Sequence, residues 1–236
     1  MTDVRRLAAY AGLSVGVYGV VVRPRLLRWG ATDEEVKGAF PGADLIPGSK
    51  RTATMAITIN APPSRLWRWL VQMGCNRAGW YSWDRLDNRG VASSRRVNLE
   101  WQDISVGGHL AATPSGSAWF EVAALEPERF LALRAPLHLT GRPLDTTAPR
   151  PRYFNDSLWA FLLEELSGGR TRLVVSGFAS SKPRLLTAIG DFLFWEPAHW
   201  IMQTRQFANL RRRAECDSDG VVDHERTPAP LAPISA

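Results

Sequence analysis

The sequence predicts an α+β fold in which antiparallel β-hairpins are joined to a long C-terminal helix. Three observations carry this. Residues 52–60 alternate apolar and polar side chains, as a strand buried on one face does. Five further strand-like runs, near residues 107–112, 118–125, 130–135, 157–165 and 171–180, include neighbours separated by short turns rich in Pro, Ser and Gly, which implies hairpins. Finally, residues 183–214 repeat apolar side chains at helical spacing, with Leu185, Ile189, Phe192, Phe207 and Leu210 on one stripe.

The elements follow in order. Leu7 to Val22 is an uncharged run flanked by Arg5, Arg6, Arg23, Arg25 and Arg28. As a helix its sixteen residues would measure roughly 24 Å, short of the ~30 Å hydrocarbon thickness. An uncleaved anchor, an interfacial helix and a helix packed on the domain all remain open, and no signal-peptidase site follows the run. Membrane association through residues 7–22 is the expectation, with the domain cytoplasmic because paired cysteines are absent; a soluble cytoplasmic protein is the alternative. Trp29 to Gly48 is a connector in which Thr32 and Glu35 form a capping box. After the first strand, Pro62 and Pro63 fit only a first helical turn, and the helix runs to Met73 before Gly74 ends it. Residues 136–151 hold four prolines and read as a loop. Within the last helix Pro197 cannot bond to Leu193, so a kink or restart is expected. The polar, Pro-rich residues 215–236 read as a disordered tail. The expected organisation is therefore an N-terminal apolar helix (1–28), one domain (29–214) and a tail (215–236).

Composition narrows the function. Of 236 residues, 45% are apolar and 22% charged, ordinary values for one globular domain. The net charge of +6 comes largely from arginine, yet no helix-turn-helix or RNP-like pattern accompanies it, so nucleic acid is not an expected partner. Arg211, Arg212 and Arg213 suit the last turn of a helix. Cys75 and Cys216 form no disulfide framework, and the four histidines show no ligand spacing, so no metal is expected and no cofactor is implied. No nucleophile elbow, P-loop or dinucleotide fingerprint occurs. Cys75 reads as a small buried hydrophobe.

Two regions hold candidate chemistry. Residues 72–88 crowd Arg77, Trp80, Tyr81, Trp83, Asp84 and Asp87 into a turn after the first domain helix, a composition that fits a pocket wall and equally a core with a structural ion network. On the last helix, Glu196, His199 and Gln203 share the apolar stripe, so these polar groups need partners. Arg77 pairing with Glu196, and His199 facing the same void, would make a polar site; alternatively Glu196 and Arg77 form a purely structural ion pair and His199 satisfies a backbone carbonyl. With a carboxylate, His199 would be a general base.

The segments Ile57-Thr-Ile-Asn-Ala-Pro-Pro63, Leu66-Trp-Arg-Trp-Leu-Val-Gln-Met-Gly74 and Glu196-Pro-Ala-His-Trp-Ile-Met202 carry a resemblance. Over roughly residues 29–215 the chain resembles a bacterial member of the START-like helix-grip superfamily, also labelled SRPBCC or polyketide cyclase/dehydrase and lipid transport. The run through residues 72–88 is similar to a subgroup mostly without assigned activity. The resemblance implies a curved antiparallel sheet wrapped around the C-terminal helix, with an apolar cavity between them. Arg77, Trp80, Tyr81, Asp84, Phe192, Glu196, His199 and Gln203 would line that cavity. The implied function is binding, and in some cases transport, of an apolar or amphipathic small molecule such as a lipid or polyketide. The alternative is a cyclase- or dehydratase-type enzyme using His199 and a carboxylate such as Glu196.

Overall fold

A computed structural model describes residues 2–145 and 148–216. Six antiparallel strands form one sheet: β1 (Lys50–Ile59), β2 (His109–Ala111), β3 (Trp119–Glu126), β4 (Phe130–Leu137), β5 (Phe154–Leu166) and β6 (Arg170–Lys182). Their order is β1-β6-β5-β4-β3-β2. Successive strands from β2 to β6 are neighbours, as short hairpin connections require, and β1 closes the far edge against β6. The curved sheet and long C-terminal helix make this a helix-grip architecture.

The two faces of the sheet bury different partners, because side chains alternate across a strand. On one face Met55, Ile57, Leu133, Phe161 and Val175 pack with α4 (Pro63–Val71) and with Phe207 and Leu210 of α7 (Glu196–Cys216). On the other, Ala132, Leu158, Ala160 and Val174 lie under Phe40 and Ile46 of the connector. That connector is clipped in place. The Thr32 hydroxyl accepts from Glu35 N–H at 3.2 Å, and the Glu35 carboxylate accepts from Thr32 N–H at 2.7 Å, capping α3 (Asp33–Lys37). The same carboxylate accepts from Arg172 of β6 at 2.7 Å.

β5 starts three residues before the expected strand. Buried Asp156 holds two cations there, accepting from Arg134 of β4 and Arg150 of the preceding loop, each at 2.7 Å. These bonds tie loop to strand and extend the ladder into the Pro-rich segment.

Both end helices contain a wide turn. The first runs α1 (Thr2–Val17), a π turn (Tyr18–Val22) and α2 (Arg23–Leu27); the last runs α6 (Arg184–Gly190), a π turn (Asp191–Trp195) and α7. In each, the residue before a proline bonds five residues back, Arg23 N–H to Tyr18 O and Glu196 N–H to Asp191 O. The wider turn takes up the bond that Pro24 or Pro197 cannot make, so the expected break at Pro197 becomes a π turn just upstream. It also rotates everything N-terminal to it. Leu185 and Ile189, expected on the buried stripe, are exposed, while Phe207 and Leu210 are buried.

The N-terminal helix packs on the last one. The Tyr18 ring meets Phe192 edge-on at 5.0 Å, and Arg23 donates twice to Glu196, once at 2.7 Å. No helix among the described residues is long and apolar enough to cross a membrane. Of the expected tail, residues 217–236 lie outside the described residues, whereas Glu215 and Cys216 close α7.

These contacts set the expected effect of deleting residues 1–28. The Arg23–Glu196 pair is partly exposed, and Trp29 with its stack on Phe207 at 6.0 Å is retained. The truncated chain should fold, with stability lowered by about 1–2 kcal/mol for two partly exposed ion pairs, Arg23–Glu196 and Arg28–Asp33, and one aromatic contact. Urea denaturation measures this, and aggregation or a much larger loss would make the helix part of the core.

Candidate functional site

The turn after α4 is built by its glycines. Gly74 and Gly79 bridge one another, with Gly79 N–H to Gly74 O at 2.9 Å. Gly79 has φ +79°, and a Cβ there would lie 2.6 Å from Ser93 Oγ, so only glycine fits. Tyr81, fully buried, also has positive φ (58°) and is locked by three bonds. Its N–H donates to Ser93 Oγ (3.1 Å), its hydroxyl accepts from Gln72 Nε2 (2.7 Å), and its carbonyl accepts from Asn209 Nδ2 (2.7 Å). Burial pushes its phenol up, and the Arg213 guanidinium sits over its ring at 4.8 Å.

Within this turn Arg77 donates to the carbonyls of Val71 (3.2 Å), Trp101 (3.1 Å) and Asp103 (3.4 Å), fastening the end of α4 to residues 101–103. Asp84, which opens the short helix α5 (Asp84–Asp87), accepts from Ser93 N–H (3.0 Å) and Ser93 Oγ (2.6 Å). Arg77 thus does not meet Glu196, whose partner is Arg23 on the N-terminal helix. The expected Arg77–Glu196 pair is corrected on this point. Glu196 opens α7, just downstream of the π turn, where Arg23 of the first helix lies beside it, and Arg77 is spent on backbone oxygens. Phe192 lies with Glu196, between the Tyr18 ring and the Arg23 guanidinium at 5.8 Å.

Trp80 and Gln203 do come together, around residues that sequence reasoning passed over. Trp80, Phe120 of β3 and Trp159 of β5 form a mutually contacting set with centroids 5.3–5.8 Å apart, and Trp159 reaches Phe161 at 4.8 Å. Trp80 and Phe161 are buried, whereas Phe120 and Trp159 remain partly exposed. The Trp159 indole donates to Gln203 Oε1 at 3.0 Å, Gln203 Nε2 donates to Gln206 Oε1 at 2.8 Å, and Gln206 Nε2 donates to the Trp80 carbonyl at 2.9 Å. This relay binds α7, β5 and the turn into one wall. The signal for it was the polar line Gln203, Gln206 and Asn209, three residues apart on an otherwise apolar helix face.

His199 stands one turn before Gln203 on that face. Among the described residues it has no hydrogen-bond partner, and burial alone pulls its imidazole down to about 4, so it is neutral at pH 7. The neighbouring Trp200 indole N–H is buried and also without a partner there. Elsewhere, Cys75 donates to Asp87 O at 3.2 Å and burial raises its thiol. Burial, then Asp84, pushes the Asp87 carboxyl up to about 6. Two surface depressions, one at Phe40, Pro63 and Arg129 and one at Pro62, Arg65 and Glu128, lie away from this wall.

No protein-family model and no curated protein matches the chain. Among solved structures, a hypothetical protein from Helicobacter pylori is similar at 13% identity and TM-score 0.43, over 75% of this chain and 95% of its own. A conserved protein of unknown function from Enterococcus faecalis is similar at 15% identity and TM-score 0.38, over 75% and 80% respectively. A protein from Arthrobacter aurescens shares 14% identity at TM-score 0.40, over 78% of this chain and 96% of its own.

Proposed function

We propose that the protein binds an apolar or amphipathic small molecule, of lipid or polyketide type, against the Trp80–Phe120–Trp159 wall, and that it works at a membrane surface contacted by residues 7–22. The observation that carries this reading is an aromatic wall left partly open at Phe120 and Trp159 and edged by the Gln203 amide. A few fixed polar atoms on an otherwise apolar surface orient a ligand without committing to chemistry. The first helix lies on the membrane rather than spanning it, because its uncharged run, residues 7–22, falls short of the roughly 20 apolar residues a span needs. Binding is favoured over acid–base catalysis because His199 has no carboxylate beside it among the described residues and Glu196 is held by Arg23. A general base needs such a partner or a tuned imidazole near neutrality.

The test is mass spectrometry of organic extracts from protein purified from its own source, alongside a Trp159→Ala variant checked for folding by circular dichroism. Wild-type protein should carry a lipid or polyketide, and the variant should retain about tenfold less, the equivalent of one lost aromatic contact. A folded wild-type protein that carries no such molecule, and takes none up from lipid vesicles, would overturn the reading.

A further inference from the structure

The upstream half of the last helix was expected to lie inside the grip, yet neither α6 nor the following π turn contains a buried residue. Leu193, Phe194 and Trp195 are 66%, 67% and 56% exposed. Three consecutive helical residues point in directions about 100° apart, so apolar surface faces outward around most of this segment. The first helix does the same: Val20 is 79% exposed and Val22, roughly on the opposite side, is 39% exposed. Tyr18 meets Phe192 and Arg23 meets Glu196, so the two segments run in the same direction and are held side by side.

We infer that these two helices form one composite surface that sinks into the headgroup–acyl boundary of an anionic bilayer. The inference rests on the membrane association proposed above and adds the last helix as its second half. Surrounding apolar contact is what an acyl layer supplies, whereas a protein partner buries one stripe of a helix. The charge pattern fits as well. Arg6 and Arg25 on the first helix, Lys182 at the end of β6 and Arg184 at the start of α6 are exposed and cationic, within a chain of net charge +6. Basic side chains flanking an apolar surface meet anionic headgroups, and the adjoining Phe194 and Trp195 rings, 5.7 Å apart, suit the interface. Because the last helix continues through His199 to Gln203, a bilayer held at its upstream half lies next to the aromatic wall on the same helix. A ligand can then pass between lipid and wall along one element.

The experiment is co-sedimentation of the full chain with vesicles of phosphatidylcholine alone and of phosphatidylcholine mixed with phosphatidylglycerol. It includes the surface variants Val20→Glu, Leu193→Glu and Phe194→Glu. Binding should require the anionic lipid and weaken with salt, and each variant should lower partitioning by about tenfold or more without changing the circular dichroism spectrum. If Val20→Glu abolishes binding while the Leu193 and Phe194 variants bind like wild type, association through the first helix stands and the composite surface is overturned. If wild-type protein ignores both vesicles, both readings fall. If it sediments as a dimer that Phe194→Glu makes monomeric and that does not bind lipid, the face is a protein interface and the inference is likewise overturned.

Discussion

Phe207→Ala should destabilise the protein by about 3–5 kcal/mol, the cost of removing a large side chain from a packed core that cannot fully collapse. Phe207 is fully buried among residues from the sheet and α4, and Trp29 of the connector stacks on its ring. The substitution therefore opens a void where sheet, C-terminal helix and connector meet. For a chain of this size the midpoint of thermal unfolding should fall by about 10 °C. Leu193→Ala, on the same helix but exposed, should change stability by no more than about 0.5 kcal/mol. The contrast is the informative result, since it separates the half of the helix that the sheet grips from the half that it does not. A Phe207→Ala protein within about 1 kcal/mol of wild type in urea denaturation would mean that the helix is not the core of this fold.

That division of one helix also marks where the sequence was readable and where it was not. Period-2 alternation, turn residues and the Thr32–Glu35 box are local signals, and the strands and cap stand close to where those signals put them. The face of a long helix is not local. A single wide turn at Asp191–Trp195 adds a residue to the register and turns everything upstream by about 100°, which undoes a stripe drawn at uniform spacing. Pro197 signals that something happens there without saying how. Glu196, downstream of that turn, meets Arg23 because the first helix packs there, a long-range contact that no local signal announces. Arg77, a cation in an aromatic-rich turn, reads as a ligand contact, but three carbonyls at the end of α4 and in residues 101–103 engage it instead. Trp159 and Phe120 were legible only as alternating strand residues. Their meeting with Trp80 depends on sheet order, which short turns imply but which the curved sheet and the helix must complete.

Burial of His199 should lower stability as the pH drops from about 6.5 toward 4, and His199→Gln should remove that contribution and leave the opposing one of Asp87. In the unfolded chain the imidazole titrates near 6.5, whereas in the folded protein burial holds it down to about 4. Between those values the unfolded state binds more protons than the folded one, so the free energy of unfolding rises with pH across this window and is level above it. The full shift would be worth roughly 3 kcal/mol, and because the ring is only partly buried by surface area, solvent reduces this to about 2 kcal/mol. Asp87 opposes it. Its folded-state carboxyl is raised from 3.8 to about 6, so between those values the folded state binds more protons and stability falls as pH rises. Both Asp87 carboxylate oxygens are buried without a hydrogen-bond partner among the described residues, so its contribution is about 2 kcal/mol, of the same order as that of His199. The two should therefore largely offset one another in the wild-type protein between about pH 6 and 4. His199→Gln should make stability rise as the pH falls through this window, and Asp87→Asn should make it fall. Urea denaturation at a series of pH values measures all three, and a His199→Gln slope equal to wild type would show that the imidazole is solvated rather than held neutral by burial.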